Sequence, residues 1–297
     1  MKKISKRRKK DYLAGYAMIA PVVIGLGVFY FYPIFKVIFD SFHEVGAFNQ
    51  SRFIGLDNYT RMFQDEMMWR SLLNTLRYVV VIVPSVIVIA LLLAVFLNMK
   101  IKGRDFFRVV YFIPAITMGA AVAMIWRWMF NGDYGIINYL RNAVGLSSVQ
   151  FVSDPKTAWL TICTVSVWSG VGYNMVILLA GIQGISKSYY DAAAIDGASE
   201  FRQFFSITLP LVTPTLFFVM VTTLISVFQT FDSIYMMINK SGMAIESAQS
   251  MVLYFYENAF ELSHKGYASA LAVFLFVIIM AITVVQMKLQ KKWVNYE

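Results

Sequence analysis

Residues 78–99 read YVVVIVPSVIVIALLLAVFLNM, a stretch that contains no Asp, Glu, Lys or Arg. A helix rises about 1.5 Å per residue, so about 20 apolar residues cross the roughly 30 Å hydrocarbon core of a bilayer. Inside hydrocarbon every backbone amide must be satisfied within the segment. A run this long and this uniformly apolar is therefore expected to be a helix rather than an isolated strand.

The same pattern recurs. Uncharged intervals also run from Tyr12 to Phe35, Val109 to Trp126, Thr157 to Ser186, Gln203 to Phe231 and Gly266 to Met287. Together the six intervals predict an all-α integral membrane protein with six transmembrane helices, at about 12–35, 74–99, 107–130, 157–183, 208–231 and 266–287. The whole forms one domain over residues 12–287, between a basic tail at 1–11 and a second tail at 288–297. Only 14% of the residues are charged and 59% are hydrophobic, against about 25% charged in soluble domains. A large soluble helical protein would need amphipathic helices and polar connecting faces, so that class is set aside. Pro21, Pro33, Pro84, Pro114, Pro210 and Pro214 fall in or at the ends of spans, where kinks are expected.

Formal net charge is +9, and Lys2, Lys3, Lys6, Arg7, Arg8, Lys9 and Lys10 crowd the first ten residues. A basic cluster before a first span is normally kept in the cytoplasm. The second connection is also basic, with Lys100, Lys102, Arg104 and Arg108; the fourth carries Lys187 and Arg202, and the final tail carries Lys288, Lys291 and Lys292. Both termini are therefore expected in the cytoplasm. A short basic run abutting a span serves orientation, so no nucleic-acid partner is expected. The first uncharged interval holds 24 residues, more than the roughly 7 to 15 of a cleaved signal peptide, and a retained anchor is expected. Cys163 is the sole cysteine, and His43 and His264 are far apart in sequence. These numbers exclude an intramolecular disulfide and suggest no metal site.

The external connections differ in character. Residues 40–70 mix Glu44, Asp57, Asp65 and Glu66 with aromatic residues and predict short amphipathic structure. Residues 131–156 carry turn signals at Asn131-Gly132-Asp133 and at Asp154-Pro155. Residues 232–265 end in an aromatic-rich helical stretch at 254–260. Trp126, Arg127 and Trp128 lie at the outer end of the third span, where interfacial anchors are usual.

The fourth connection, residues 187–210, is the informative one. From Ser188 to Pro210 it reads SYYDAAAIDGASEFRQFFSITLP. Ser188 followed by Asp191 has the spacing of a capping box, so a short helix is expected to start there. Ala192, Ala193 and Ala194 give that helix a small-residue surface open to close approach. Gly197 permits a sharp turn, after which a second helix leads to Pro210. A helix-turn-helix between two spans is suited to passing rigid-body movement from a cytoplasmic partner into the membrane.

This segment resembles the signature loop of ABC importer permeases: an acidic residue, Ala-Ala, three residues, Gly, nine residues, Ile, one residue, Leu-Pro. Ala192, Ala193, Gly197, Ile207, Leu209 and Pro210 match it, and Asp191 stands where the family usually has Glu. Asp196-Gly197-Ala198, Pro214, Ala20-Pro21, Gly55 to Tyr59, Pro114 and Phe228 to Asp232 are similar to the carbohydrate-importing subgroup typified by the maltose permease. The resemblance covers nearly all six spans. It implies a type I ABC importer permease fold in a bacterial cytoplasmic membrane. Its implied partners are a second homologous permease, two ABC ATPase subunits and an extracellular solute-binding protein, and its implied substrate is a carbohydrate. The same resemblance implies that Asp191, Ala192, Ala193, Asp196, Gly197, Ile207, Leu209 and Pro210 couple the chain to an ATPase, whose closure drives alternating access. The sequence itself has no Gly-x-x-x-x-Gly-Lys-[Ser/Thr] phosphate loop, so ATP and Mg are expected on the partner and no cofactor on this chain.

Polar side chains inside spans are expensive and point to a substrate path. Trp168, Tyr173 and Asn174 lie near mid-depth of the fourth span, where a sugar can stack on a ring and meet an amide. Thr222, Ser226 and Gln229 share one helical face in the fifth span, and Asp232 and Tyr235 are expected to continue it. The plainer alternative is that such residues hold helices together. An importer of a non-sugar solute and a secondary transporter remain alternatives. An embedded enzyme is not expected, because the spans gather no paired carboxylates, His ligands or nucleophile with its base.

Overall fold

A computed structural model describes residues 6–46, 50–99, 101–239 and 242–295. Lys2, Lys3 and Lys100, which belong to the basic orientation signal, lie outside the described residues.

The first helix runs as α1, Lys6–Leu26, through a π turn at Gly27–Phe31 into α2, Tyr32–Ser41. It passes the end of its uncharged interval because Lys36 pairs with Asp40 one turn on, an arrangement that supports a helix. A hairpin follows, β1 His43–Val45 and β2 Ser51–Phe53, antiparallel with Glu44 opposite Arg52. Three-residue strands carry no legible alternation, and sequence reasoning did not foresee them. Then come α3, Asp57–Gln64; α4, Glu66–Asn98; α5, Arg104–Ile116; α6, Gly119–Met129; α7, Ile136–Ala143; and α8, Pro155–Gln183. The remaining helices are α9, Lys187–Ile195; α10, Glu200–Gln203; α11, Leu209–Leu211; α12, Thr213–Phe228; α13, Asp232–Met237; α14, Ala244–Ala248; α15, Met251–Tyr256; and α16, Lys265–Leu289.

Among the described residues four helices are long and apolar enough to cross a membrane: Tyr12–Ser41, Glu66–Asn98, Pro155–Gln183 and Lys265–Lys292. Two further pairs qualify only as bent spans: α5 with α6, at 100°, and Glu200–Leu211 with α12, at 64°. Counting each pair once brings the number to six. The third span, expected over 107–130 with a kink at Pro114, is broken a little further on, at Thr117 and Met118, whose ψ angles of 139° and 126° leave the helix. The fifth, expected over 208–231, bends at Val212 and stops at Phe228. The second begins earlier than residue 74, because the Asp65 carboxylate accepts the Met67 N–H at 2.9 Å and starts the helix at Glu66.

Two of the prolines coincide with a local change of winding. A proline removes the hydrogen bond to the carbonyl four residues earlier and crowds it. For Pro33 and Pro210 that carbonyl belongs to Phe29 and Ser206, and both fall inside π turns, at Gly27–Phe31 and Phe204–Thr208.

The chain divides into two compact units. In the unit of residues 1–64 and 255–274, none of the apolar window of the first helix is buried. Asn58 ties the loop beyond it together, its Nδ2 donating to the carbonyls of Ser41 and His43 at 3.0 Å each. Arg61 lies over the Tyr267 ring, 4.5 Å from its centroid.

The unit of residues 65–254 and 275–297 carries the packed helices. Ala90, Ala94 and Leu97 of α4 meet Met175, Leu178 and Ile182 of α8 and Val219 of α12. Lipid tails are as apolar as these side chains, so such packing holds through close van der Waals fit and small residues. Gly172 shows how close: a Cβ there would sit 1.8 Å from the Tyr111 carbonyl oxygen of α5.

Candidate functional site

Two features of this second unit invite function. The first is a cavity of about 420 Å³ among α4, α5, α6, α8, α12 and α13. One wall is the α8 face of Ser166, Ser169, Tyr173 and Asn174, residues spaced to share a side of the helix. Another is Thr222, Thr223 and Ser226 of α12, continued by Gln229, Thr230 and Asp232. Ile82 and Val86 of α4 and Val122 of α6 complete it with apolar surface.

Asn174 is only 6% exposed. Its Nδ2 donates to the Gly170 carbonyl at 2.9 Å, and its Oδ1 accepts from the Thr223 hydroxyl at 3.4 Å, joining α8 to α12. The Thr222 hydroxyl donates to the Phe218 carbonyl at 2.9 Å. Tyr173, Ser226, Gln229 and Asp232 are exposed. The lining thus offers a phenol, a hydroxyl, an amide and a carboxylate beside apolar side chains, a set that suits a polyhydroxylated solute.

Six of the eight residues expected along the path therefore line one cavity: Tyr173, Asn174, Thr222, Ser226, Gln229 and Asp232. Two do not. Trp168 lies on another side of α8, edge-on to Trp126 at 5.4 Å, beside an apolar groove that includes Val81, Pro114 and Cys163. Tyr235 stacks on Phe231 at 5.1 Å. The expected continuous face failed there because α12 ends at Phe228 and Asp232 starts a new helix, so helical phase is lost between them. Ser166, Ser169, Thr223 and Thr230 were missed, although Ser166, Ser169 and Tyr173 stand at helical spacing in the sequence. Arg127, expected as an interfacial anchor, donates to the Met236 carbonyl at 3.0 Å and holds α13 beside α6.

The second feature is the α8–α12 connection. The expected capping box at Ser188 is not the one used. Ser186 is the cap, with extended backbone and an Oγ that accepts the Ser188 N–H at 3.4 Å, which leaves Ser188 inside the first turn. At the other end of α9, Gly197 adopts φ +74°. The Ala198 N–H reaches the Ala193 carbonyl at 2.9 Å and the Gly197 N–H reaches Ala194 at 3.1 Å, the paired bonds of a left-handed glycine stop. Ser199 then caps α10, and Gln203 Nε2 donates to the Ala198 carbonyl at 3.0 Å. Tyr190 and Thr208 join the two arms through their hydroxyls at 2.9 Å.

No residue of α9 is buried. Ile195 is 87% and Phe201 75% exposed at the tip of the elbow, and Phe201 packs on Phe205 at 4.8 Å. The base of the elbow is held by the final tail: the Asn295 N–H donates to Thr213 Oγ1 at 3.0 Å, and Trp293 meets Phe217 edge-on at 6.1 Å. Among the described residues no group of three or more His, Cys, Asp or Glu side chains is placed to hold a metal.

A membrane protein with a polar cavity among its spans and a hydrogen-bonded elbow between two of them has the build of a transport permease. Residues 68–295 match the family described as binding-protein-dependent transport system inner membrane component, and the chain belongs to that family. It is 40% identical over 300 residues to the probable ABC transporter permease protein YesP of Bacillus subtilis, covering 100% of this chain and 96% of that one. It is 32% identical to the trehalose/maltose transport system permease protein MalF of Thermococcus litoralis, with 96% of each chain covered. Its fold also matches a chain in the crystal structure of a bacterial ABC transporter involved in the import of the acidic polysaccharide alginate, at TM-score 0.87, 24% identity and 98% and 99% coverage.

Proposed function

We propose that this chain is the permease subunit of an ATP-driven importer that carries a sugar or oligosaccharide across a bacterial cytoplasmic membrane by alternating access. The observation that carries the reading is the pairing of a hydroxyl-, amide- and carboxylate-lined cavity with an elbow whose apolar tip lies uncovered in the single chain.

The elbow is the ATPase contact. Asp191, Ala192, Ala193, Asp196 and Gly197 form the part that docks, and Ile207, Leu209 and Pro210 lead its movement into α12. The tip lies in the cytoplasm, as do both termini. Two ATPase subunits bind ATP and Mg, a second homologous permease supplies the other half of the pathway, and an extracellular solute-binding protein delivers the solute. Exposed apolar side chains at the elbow tip support this reading, because burying Ile195 and Phe201 in a partner releases about 1.5–3 kcal/mol each.

The cavity is the solute path. Tyr173, Asn174, Thr222, Ser226, Gln229 and Asp232 meet the hydroxyls of the sugar, while Ile82, Val86 and Val122 contact its C–H faces. Relatives named for trehalose and maltose, lactose and arabinooligosaccharides support the carbohydrate class. The test is uptake into proteoliposomes by the full complex across a panel of maltose, trehalose, lactose, arabino-oligosaccharides and glycerol 3-phosphate. ATP-dependent accumulation of a sugar supports the reading. Uptake confined to glycerol 3-phosphate moves the chain to a non-sugar importer.

A further inference from the structure

The cavity wall formed by Gln229 to Asp232 is a turn between helices, and its shape needs an explanation. Phe231 there has φ −136° and ψ −61°, outside both helical and strand geometry. The Thr230 carbonyl accepts the hydroxyl of Ser250 at 2.7 Å. Ser250 is fully buried and precedes α15. Its oxygen also accepts the Leu253 N–H at 3.2 Å, so it is at the same time the N-cap of that helix.

Ser250 is itself held in place by α4. The Tyr78 hydroxyl donates to the Ala248 carbonyl at 2.7 Å, Asn74 Nδ2 donates to the Glu246 carbonyl at 2.9 Å, and Thr75 Oγ1 accepts the Met251 N–H at 3.0 Å. These three residues lie on the same helix that carries Ile82 and Val86 into the cavity one and two turns further on. One rod thus supports the apolar wall directly and reaches the opposite polar turn through Ser250.

We propose that Ser250 is a positioning residue for the cavity: its hydroxyl, clamped to α4 through residues 244–251, fixes the turn that presents Gln229 and Asp232 to the solute. This rests on the cavity being the solute path. The plainer role of Ser250 is to cap α15, and the two roles separate by variant. S250A removes cap and donor. S250G removes the donor but remains a good cap, since glycine costs an N-cap only a little. S250T keeps both.

The experiment places a nitroxide at S233C, at the start of α13, in a C163A background, and compares its spectrum in the assembled transporter in liposomes. S250A and S250G are both expected to mobilise the label, and S250T to restore the immobilised spectrum. Sugar uptake per complex, read on unlabelled variants because Ser233 itself lines the cavity, should fall about three- to tenfold in S250A and S250G, the loss expected for one buried hydrogen bond. Spectra unchanged in S250G while S250A alone loses thermal stability would assign Ser250 to capping and overturn the proposal. The underlying reading fails separately: if Q229A leaves uptake of every sugar in the panel unchanged, the path lies elsewhere, whatever the nitroxide reports.

Discussion

The cavity and the elbow belong to the same unit and solve opposite problems. In the cavity, polar groups sit where hydrocarbon would punish them, and many are tied to the backbone or to each other, as Asn174 is to Gly170 and Thr223. At the elbow, apolar groups sit where water would punish them, and the chain leaves Ile195 and Phe201 uncovered. A polar surface in the cavity and an apolar tip at the elbow fit the two proposed roles, a solute met by one and a partner protein by the other. Damage to the elbow should therefore sever coupling and spare the cavity, and damage to the cavity should do the reverse.

The largest effect is expected at Gly197. A β-branched side chain at φ +74° disrupts the stop of α9, so Gly197→Val should lower uptake roughly thirty- to hundred-and-fiftyfold, from a backbone cost of roughly 2–3 kcal/mol. Membrane insertion, read by the amount of chain in purified membranes, should stay normal. Unimpaired uptake would break the assignment of the elbow to coupling. Next comes Ile195→Glu, which puts a charge on the exposed tip. Pull-down of the ATPase with the solubilised permease should fall about tenfold, the loss of one apolar anchor, with the cavity untouched.

Cavity changes should be milder and should leave ATPase capture intact. Gln229→Ala is expected to reduce uptake about five- to tenfold, the contribution of one or two hydrogen bonds to a sugar. Gly119→Ala sharpens the picture with the smallest effect. Its Cβ would stand 3.1 Å from Asp232 Oδ2, close enough to shift the carboxylate by a few tenths of an ångström. A change of about two- to threefold in relative uptake among the sugars of the panel is expected, well under 1 kcal/mol. Equal loss of uptake and of ATPase capture in these cavity variants would erase the distinction between the two regions.

How much of this was legible beforehand follows from which forces act at each place. Spans are written plainly, because one Lys or Glu in hydrocarbon is so costly that charge-free intervals mark the helices. Bends are half-written: Pro114, Pro210 and Pro214 signal kinks, but the break at Thr117 and Met118 depends on how α5 and α6 pack. The cap at Ser186 was missed for Ser188 because both are serines near a helix start, and only backbone geometry separates them. Gly197 was readable, since few other residues accept its conformation. The cavity was readable along single helices, as with Thr222 and Ser226, and still at Gln229 and Asp232, but was lost at Tyr235, to which no periodicity carries over past the end of α12. Ser250 gave no signal, because its role depends on a contact with Thr230, 20 residues away.

The most direct test of the coupling account is a crosslinking scan. Single cysteines placed at each position from 191 to 200 of a C163A permease, in the intact nucleotide-driven complex, should form crosslinks with the ATPase subunit, most strongly around Ile195 and Gly197. A complex that imports sugar while none of these positions captures an ATPase would contradict it.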